Sequence, residues 1–140
     1  MIRLELEGVP PSINQWSRGH WSVRAEHSVD WIARVLVAAR GRIPAGWDPN
    51  QAARVTITFY CRRDPDNMAK FVVDGLVKNR VIADDKYPFL DELVLRQRPA
   101  KPAEYRTVVE VEPVGRATAG DAHAGADEAG RELGNTRRPA

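Results

Sequence analysis

Apolar residues recur at two different spacings in residues 1–112, and the order of these spacings constrains the fold more than any other feature of the sequence. Four segments carry the alternating or β-branched pattern typical of strands: 2–7, 53–61, 92–98 and 105–112. Two segments carry the three- and four-residue spacing typical of amphipathic helices: 21–40 and 67–80. We therefore predict an α/β fold, in which a small mixed β-sheet of about four strands is combined with two helices.

The helical spacing also predicts which side of each helix is buried. The predicted apolar face of the first helix consists of Val29, Ile32, Ala33, Leu36 and Val37. That of the second helix consists of Met68, Phe71, Val72, Leu76 and Val77. Four-residue spacing places a polar stripe on the other side of the second helix, made of Asp66, Lys70, Asp74 and Lys78. This stripe is expected to face solvent or a substrate.

The composition changes after Pro113, and this change sets the predicted domain boundary. Gly, Ala, Arg, Asp and Glu dominate residues 113–140, and no apolar period continues there. Such a segment cannot offset the entropy of ordering its chain, so we predict a disordered low-complexity tail at 113–140 and one folded domain at 1–112. The net charge of +2 neither requires nor excludes a nucleic-acid partner, because local patches matter more than totals.

The single cysteine and the absence of long apolar runs bear on the cellular compartment. Cys61 cannot form an intrachain disulfide, and its position at the end of a predicted strand favours a small packed residue. No apolar run is long enough to cross a bilayer, and the N-terminus has charges where a signal peptide needs an apolar core. We expect a cytoplasmic protein with no membrane partner.

Six of the ten aspartates lie between residues 64 and 91, where a strand passes into the second helix. Asp64 and Asp66 point the same way in an extended chain, and Pro65 keeps Asp64 out of the helical region. Two carboxylates on one side suit Mg²⁺, which takes one or two protein carboxylates together with waters and phosphate oxygens. Lys70 nearby can neutralise a phosphate, and the pair Asp84 and Asp85 can supply a third carboxylate.

The same residues also allow a purely structural interpretation. Asp66 or Asn67 can cap the second helix, and the spacing of Asp66, Lys70 and Asp74 also suits surface ion pairs that contribute little. Adjacent aspartates such as Asp84 and Asp85 are common in turns. The residues alone therefore leave a metal site and a set of caps and ion pairs as alternatives.

Two motifs resemble those of the RusA family of Holliday-junction resolvases. The run Asp64-Pro65-Asp66-Asn67-Met68-Ala69-Lys70, followed by Asp74 and then by Val81-Ile82-Ala83-Asp84-Asp85, is similar to the central signature of that family. Pro10-Pro11-Ser12-Ile13-Asn14 is similar to its opening motif. The resemblance spans roughly residues 2–112 in order, and the long tail is an addition to the family core.

The resemblance implies a homodimeric, magnesium-dependent endonuclease that cuts four-way DNA junctions symmetrically in recombination and repair. It implies that Asp64, Asp66 and one of the pair Asp84 and Asp85 hold the metal, with Asp85 favoured by the family spacing, and that Lys70 is the essential lysine. Asn14 matches a family position and either orients a phosphate or stabilises a turn. Six arginines can contact the DNA backbone: Arg18, Arg24, Arg62, Arg63, Arg96 and Arg98, the last two on one face of their predicted strand.

A second function belongs to a different class. The chain can be a non-catalytic DNA- or protein-binding module, for example a phage accessory protein with the same fold, in which Asp66 and Asp74 are only caps and ion-pair partners. The presence of Asp64, Asp66 and Lys70 together argues for the nuclease, because a surface that only binds DNA has no reason to gather carboxylates.

Overall fold

A computed structural model describes residues 1–11, 21–63, 65 and 68–115 of the chain. Within these residues a four-stranded mixed sheet is combined with two α-helices, which confirms the predicted α/β class. The elements in chain order are β1 (Ile2–Glu7), α1 (Trp21–Ala39), β2 (Ala53–Tyr60), α2 (Ala69–Lys78), β3 (Leu90–Arg98), a 3₁₀ turn (Pro102–Glu104) and β4 (Arg106–Pro113). The predicted strands and helices are all present, with ends shifted by one or two residues.

The strand order is β1-β4-β2-β3. β4 is antiparallel to both of its neighbours, whereas β2 and β3 are parallel and are connected through α2. A parallel pair needs such a crossover, and a helix is its usual form. It follows that β1, β2 and β3 all end where β4 begins, and we call this the carboxyl end of the sheet.

The two faces of the sheet differ because side chains alternate along each strand. One face is apolar and belongs to the same buried cluster as the inner sides of both helices, and its central row is Leu4, Val109, Ile57 and Leu95. The other face has no helix over it among the described elements, and the neighbouring row there is Glu5, Val108, Thr58 and Arg96. We call it the open face.

The predicted buried side of α1 is wrong. The structure buries Trp31, Val35 and Ala39, and it leaves Val29 66%, Leu36 48% and Val37 60% exposed. At 100° per residue these two apolar stripes lie on opposite sides of the helix, so periodicity alone does not choose between them. The stripe that contains the large Trp31 ring is the buried one, because burying it removes the most apolar surface from water.

Gly75 allows the two helices to approach closely. A Cβ atom built on Gly75 would lie 2.8 Å from Val35 Cγ2 and 3.3 Å from the Trp31 carbonyl oxygen. The end of α2 is tied to α1 as well, because the Asn79 side-chain amide donates to the carbonyls of Ile32, at 3.0 Å, and Gly75, at 2.8 Å. These contacts fix how α2 lies on the sheet and therefore where its polar side points.

The second helix begins two residues later than predicted. Its first residue is Ala69, and Met68 occupies the cap position without a side-chain hydrogen bond. The proposed capping residues Asp66 and Asn67 lie outside the described residues. The predicted apolar face is confirmed for Met68, Phe71, Val72 and Leu76, which are all buried.

The chain after β4 stays attached to the sheet for a short distance, since the Val114 N–H donates to the Ala52 carbonyl at 3.2 Å. Residues 116–140, which make up most of the predicted disordered tail, lie outside the described residues. In the part of the chain that is described, none of the helices combines the length and apolar character that a bilayer crossing requires.

Candidate active site

The carboxyl end of the sheet brings together segments that are far apart in sequence. The Gly8 N–H donates to the Tyr105 carbonyl at 2.8 Å, and the Thr107 hydroxyl donates to the Gly8 carbonyl at 2.9 Å. The Arg63 guanidinium reaches across to the Pro10 carbonyl at 3.2 Å. The segment that leaves β1 with the Pro-Pro motif is therefore held against the segment that leaves β2 toward the acidic motif.

Arg63 and Arg62, both predicted to contact DNA, have different surroundings. Arg63 is half-buried, and one of its N–H groups is used by Pro10, so it positions the loop that follows β1. Arg62 is exposed. The buried Cys61 thiol accepts the Arg63 N–H at 3.4 Å, which turns the chain out of β2 and confirms the packed role expected for this cysteine.

Lys70, Asp74 and Asp85 line one surface depression between α2 and the start of β3. Its volume is about 290 Å³, and its apolar walls are Ala69, Val73, Leu90 and Leu93. Lys70 Nζ lies 3.5 Å from Asp74 Oδ2 within this polar stripe of the helix. The structure thus places Asp85 beside the stripe, although eleven residues separate it from Asp74 in sequence.

The two adjacent aspartates have separate surroundings. Asp84 Oδ1 accepts the backbone N–H of Asp85 at 2.7 Å, which is a local turn contact, and Asp84 does not line the depression. Asp85 is exposed and lines it. Residues 81–89 form successive bends and turns, so the difference between these two neighbours comes from the turn and not from the alternation of side chains along an extended chain.

The remaining predicted site residues, Asn14, Arg18, Asp64 and Asp66, lie outside the described residues. In sequence, Asp64 directly follows Arg63, and Asp66 comes four residues before Lys70. Among the residues that the structure does describe, no group of three or more His, Cys, Asp or Glu side chains is arranged to hold a metal. The described part therefore supplies one predicted carboxylate ligand and the predicted lysine.

No protein-family model and no curated protein matches this chain. The interpretation of the site accordingly depends on its residues, their geometry and the resemblance of its motifs.

The chemistry of the described side chains suits a phosphorylated ligand that brings a hard cation. Asp74 and Asp85 offer carboxylate oxygens, which are the donors that Mg²⁺ prefers, and one or two such groups are its usual protein ligands. Lys70 adds an ammonium group that can approach a phosphate oxygen. Because the depression is shallow and open, a large substrate can reach these groups without a channel.

Sequence reasoning missed one arrangement at the carboxyl end of the sheet. The Arg106 guanidinium lies over the Tyr60 ring, 4.2 Å from the ring centroid. Tyr60 faces Arg106 on one side and Arg98 on the other in the strand register. Local periodicity predicted each strand but not which strands pair, so it held no signal for this contact.

Proposed function

We propose that this chain is a magnesium-dependent, structure-selective endodeoxyribonuclease that cuts four-way DNA junctions, as the RusA-type resolvases that it resembles do. The observation that carries the proposal is the depression shared by Lys70 and Asp85. Both residues were singled out from the motifs, they are distant in sequence, and the fold makes them neighbours. A chance similarity of short motifs gives no reason for them to share one surface.

The contact between Arg63 and Pro10 supports the same proposal. The family resemblance rests on a Pro-Pro motif near the N-terminus and an acidic motif after β2, and the structure joins the two segments that carry them. A nuclease centre needs groups from several segments, one set to hold the metal and another to place the phosphate.

In the proposed mechanism, Asp64, Asp66 and Asp85 hold the metal, and Lys70 stabilises negative charge on the scissile phosphate. The metal, when bound, supplies a water with a lowered pKa and an electrophile for the phosphate oxygens. The ion pair with Asp74 keeps the Lys70 ammonium on the side of α2 that faces the depression. Arg62, which is exposed next to this segment, provides a further cation for the backbone of the substrate.

Paired, symmetric cutting needs two equivalent centres, and we propose that a second copy of the chain supplies the other one. The outer side of α1 provides a surface for such a dimer. Val29, Leu36 and Val37 are exposed there, and Val29 and Ala33 line a depression of about 530 Å³. Apolar residues at this helical spacing are typical of a face that packs against another helix.

The decisive experiment is cleavage of a synthetic four-way junction with and without magnesium, beside linear duplex and single-stranded controls. Magnesium-dependent paired cuts in the junction alone are the expected result. The competing function, a non-catalytic DNA- or protein-binding module, is favoured by the Asp84 turn contact and the Lys70–Asp74 ion pair, since both are ordinary structural roles. Junction binding without any cutting, at every magnesium concentration, would establish that alternative.

A further inference from the structure

The open face of the sheet carries all the arginines of the four described strands. The strand register places every one of them on this face: Arg3, Arg54, Arg96, Arg98 and Arg106. They fall into two groups according to their partners. The group without carboxylate partners forms a charged surface that is not part of the candidate active site.

The two arginines toward the far end of the sheet are neutralised by carboxylates. Arg3 pairs with Glu5. Arg54 pairs with Glu92 at 2.7 Å and with Glu112 at 3.0 Å, and the hydrogen bond to Glu92, followed by that to Glu112, raises the pKa of the guanidinium. Two guanidinium groups are paired with three carboxylates here, so this end of the face carries no excess of positive charge.

The three arginines toward the carboxyl end, Arg96, Arg98 and Arg106, have no carboxylate partner among the described residues. We call them the arginine cluster. Arg106 stacks on the Tyr60 ring, and Arg98 donates to the Gln97 carbonyl at 2.8 Å. Glu7 faces Arg106 in the register but forms no ion pair with it. The Tyr60 ring thus holds Arg106 in place, and the neutral Gln97 carbonyl holds Arg98, and neither contact cancels the charge of the guanidinium.

The arginine cluster lies at the carboxyl end of the open face, on the side of the sheet opposite to α2 and the depression. Arg98 is the last residue of β3, and its carbonyl accepts the Cys61 N–H at 3.0 Å, at the point where the chain leaves β2 toward the acidic motif. Arg98 and Arg106 lie on either side of Tyr60 in adjacent strands, so their backbones are about 10 Å apart, two strand spacings of about 4.8 Å. The cluster therefore forms a positive surface on the open face at the point where the chain leaves β2.

We infer that the arginine cluster binds the sugar–phosphate backbone of one duplex arm of the four-way junction; this inference rests on the proposed nuclease function. A duplex carries one negative charge per about 1.7 Å of its axis, so a surface about 10 Å wide meets several phosphates at once. Arginine side chains that project from a sheet face reach phosphate oxygens without any strand entering a groove. The contacts are therefore with phosphates, and they orient the arm without selecting its sequence.

The test compares two triple variants that remove the same number of charges. One is Arg96→Gln, Arg98→Gln and Arg106→Gln. The matched control is Arg3→Gln, Arg40→Gln and Arg42→Gln, which replaces exposed arginines outside the cluster. Equilibrium binding to a labelled four-way junction is measured without divalent metal at several salt concentrations, and thermal unfolding is recorded for each protein.

We expect the cluster variant to lower the slope of log affinity against log salt by about 2.7, since each lost phosphate contact contributes about 0.9. Between about 50 and 200 mM salt, the wild-type chain would then lose about 40-fold more affinity than the variant. The control should keep the wild-type slope. Tyr60→Leu should weaken binding while keeping most of the slope, because the charges remain, and Tyr60→Phe should behave as wild type.

The outcomes separate this inference from the proposed function. A wild-type chain that cuts junctions, with a cluster variant of unchanged slope, would overturn the inference and leave the nuclease intact. Equal losses in both triple variants would reduce the effect to net charge and also overturn it. Binding with the expected slopes but no cutting would support the surface and refute the nuclease. Binding to anionic lipid vesicles in place of DNA would overturn both.

Discussion

Exchanging Asp85 for asparagine removes one carboxylate charge from the depression beside Lys70 and preserves the size of the side chain. The adjacent substitution Asp84→Asn serves as its matched control. Asp84 is held in a turn, where its carboxylate accepts the next backbone N–H at 2.7 Å, and an amide oxygen can accept the same bond. We expect Asp85→Asn to lose junction cleavage and Asp84→Asn to retain most of it.

The expected size of each effect follows from these surroundings. Loss of a group that stabilises charge in a transition state typically costs at least ~100-fold in rate, which corresponds to about 2.7 kcal/mol. The turn bond of Asp84 contributes about 1 kcal/mol of stability in total, and asparagine keeps most of it. Because Asp84 does not line the depression, the rate of Asp84→Asn should stay within about threefold of wild type, a change of about 0.7 kcal/mol in activation free energy.

The assay is the initial rate of four-way junction cleavage at saturating and at limiting magnesium, with thermal unfolding measured on both variants. Loss of a metal ligand raises the magnesium requirement, so the Asp85 defect should deepen when the metal is limiting. Equal and small effects of the two substitutions would remove this turn from the active site. A large effect at Asp84 alone would keep the mechanism and reverse the assignment.

Four further perturbations test other parts of the structure. Lys70→Ala should abolish cleavage. It should barely change the melting temperature, because the exposed ion pair with Asp74 contributes at most about 1 kcal/mol of stability. A large fall in the melting temperature would instead give Lys70 a structural role. Leu36→Glu should convert a dimer to a monomer in light scattering with no loss of fold, and an unchanged mass would exclude the outer side of α1 as the interface. Gly75→Ala should lower the free energy of unfolding, measured by denaturant titration, by about 1–3 kcal/mol, because the clash of the new methyl group with α1 outweighs the better helix propensity of alanine. A more stable variant would contradict this packing. Deleting residues 116–140 should leave unfolding and cleavage unchanged, and reduced cleavage would assign the tail a role.

The sequence predicted those features of the fold that depend on neighbours along the chain. Alternation identified the strands because each strand has one buried face, and helical spacing identified α2 because it has a single apolar side. Helical spacing did not predict the buried side of α1, because Val29 and Trp31 belong to apolar stripes on opposite sides of this helix. Which stripe is buried depends on the partner, and Gly75, more than thirty residues away, lets that partner approach.

In the candidate site, too, the features that depend on neighbours along the chain could be predicted, and those that depend on distant segments could not. The helical spacing of Lys70 and Asp74 follows from local geometry, and the ion pair between them agrees with it. The position of Asp85 beside them depends on the turns that return the chain to β3, and the stacking of Arg106 on Tyr60 depends on the pairing of β4 with β2. Both are relations between distant segments, on which local patterns carry no information.

The last strand in the sequence, β4, lies in the interior of the sheet, between β1 and β2. Among the described strands β1 pairs with β4 alone, so during synthesis it has no hydrogen-bonding partner in this sheet until Pro113 has also emerged. At synthesis rates of about 5–20 residues per second, this strand waits for several seconds with an unpaired edge. Its charged residues, Arg3, Glu5 and Glu7, protect that edge from pairing with other chains in the meantime. A chain that stops before β4 would leave β1 without a partner and β2 with an unpaired inner edge, and it should aggregate instead of folding into a smaller domain.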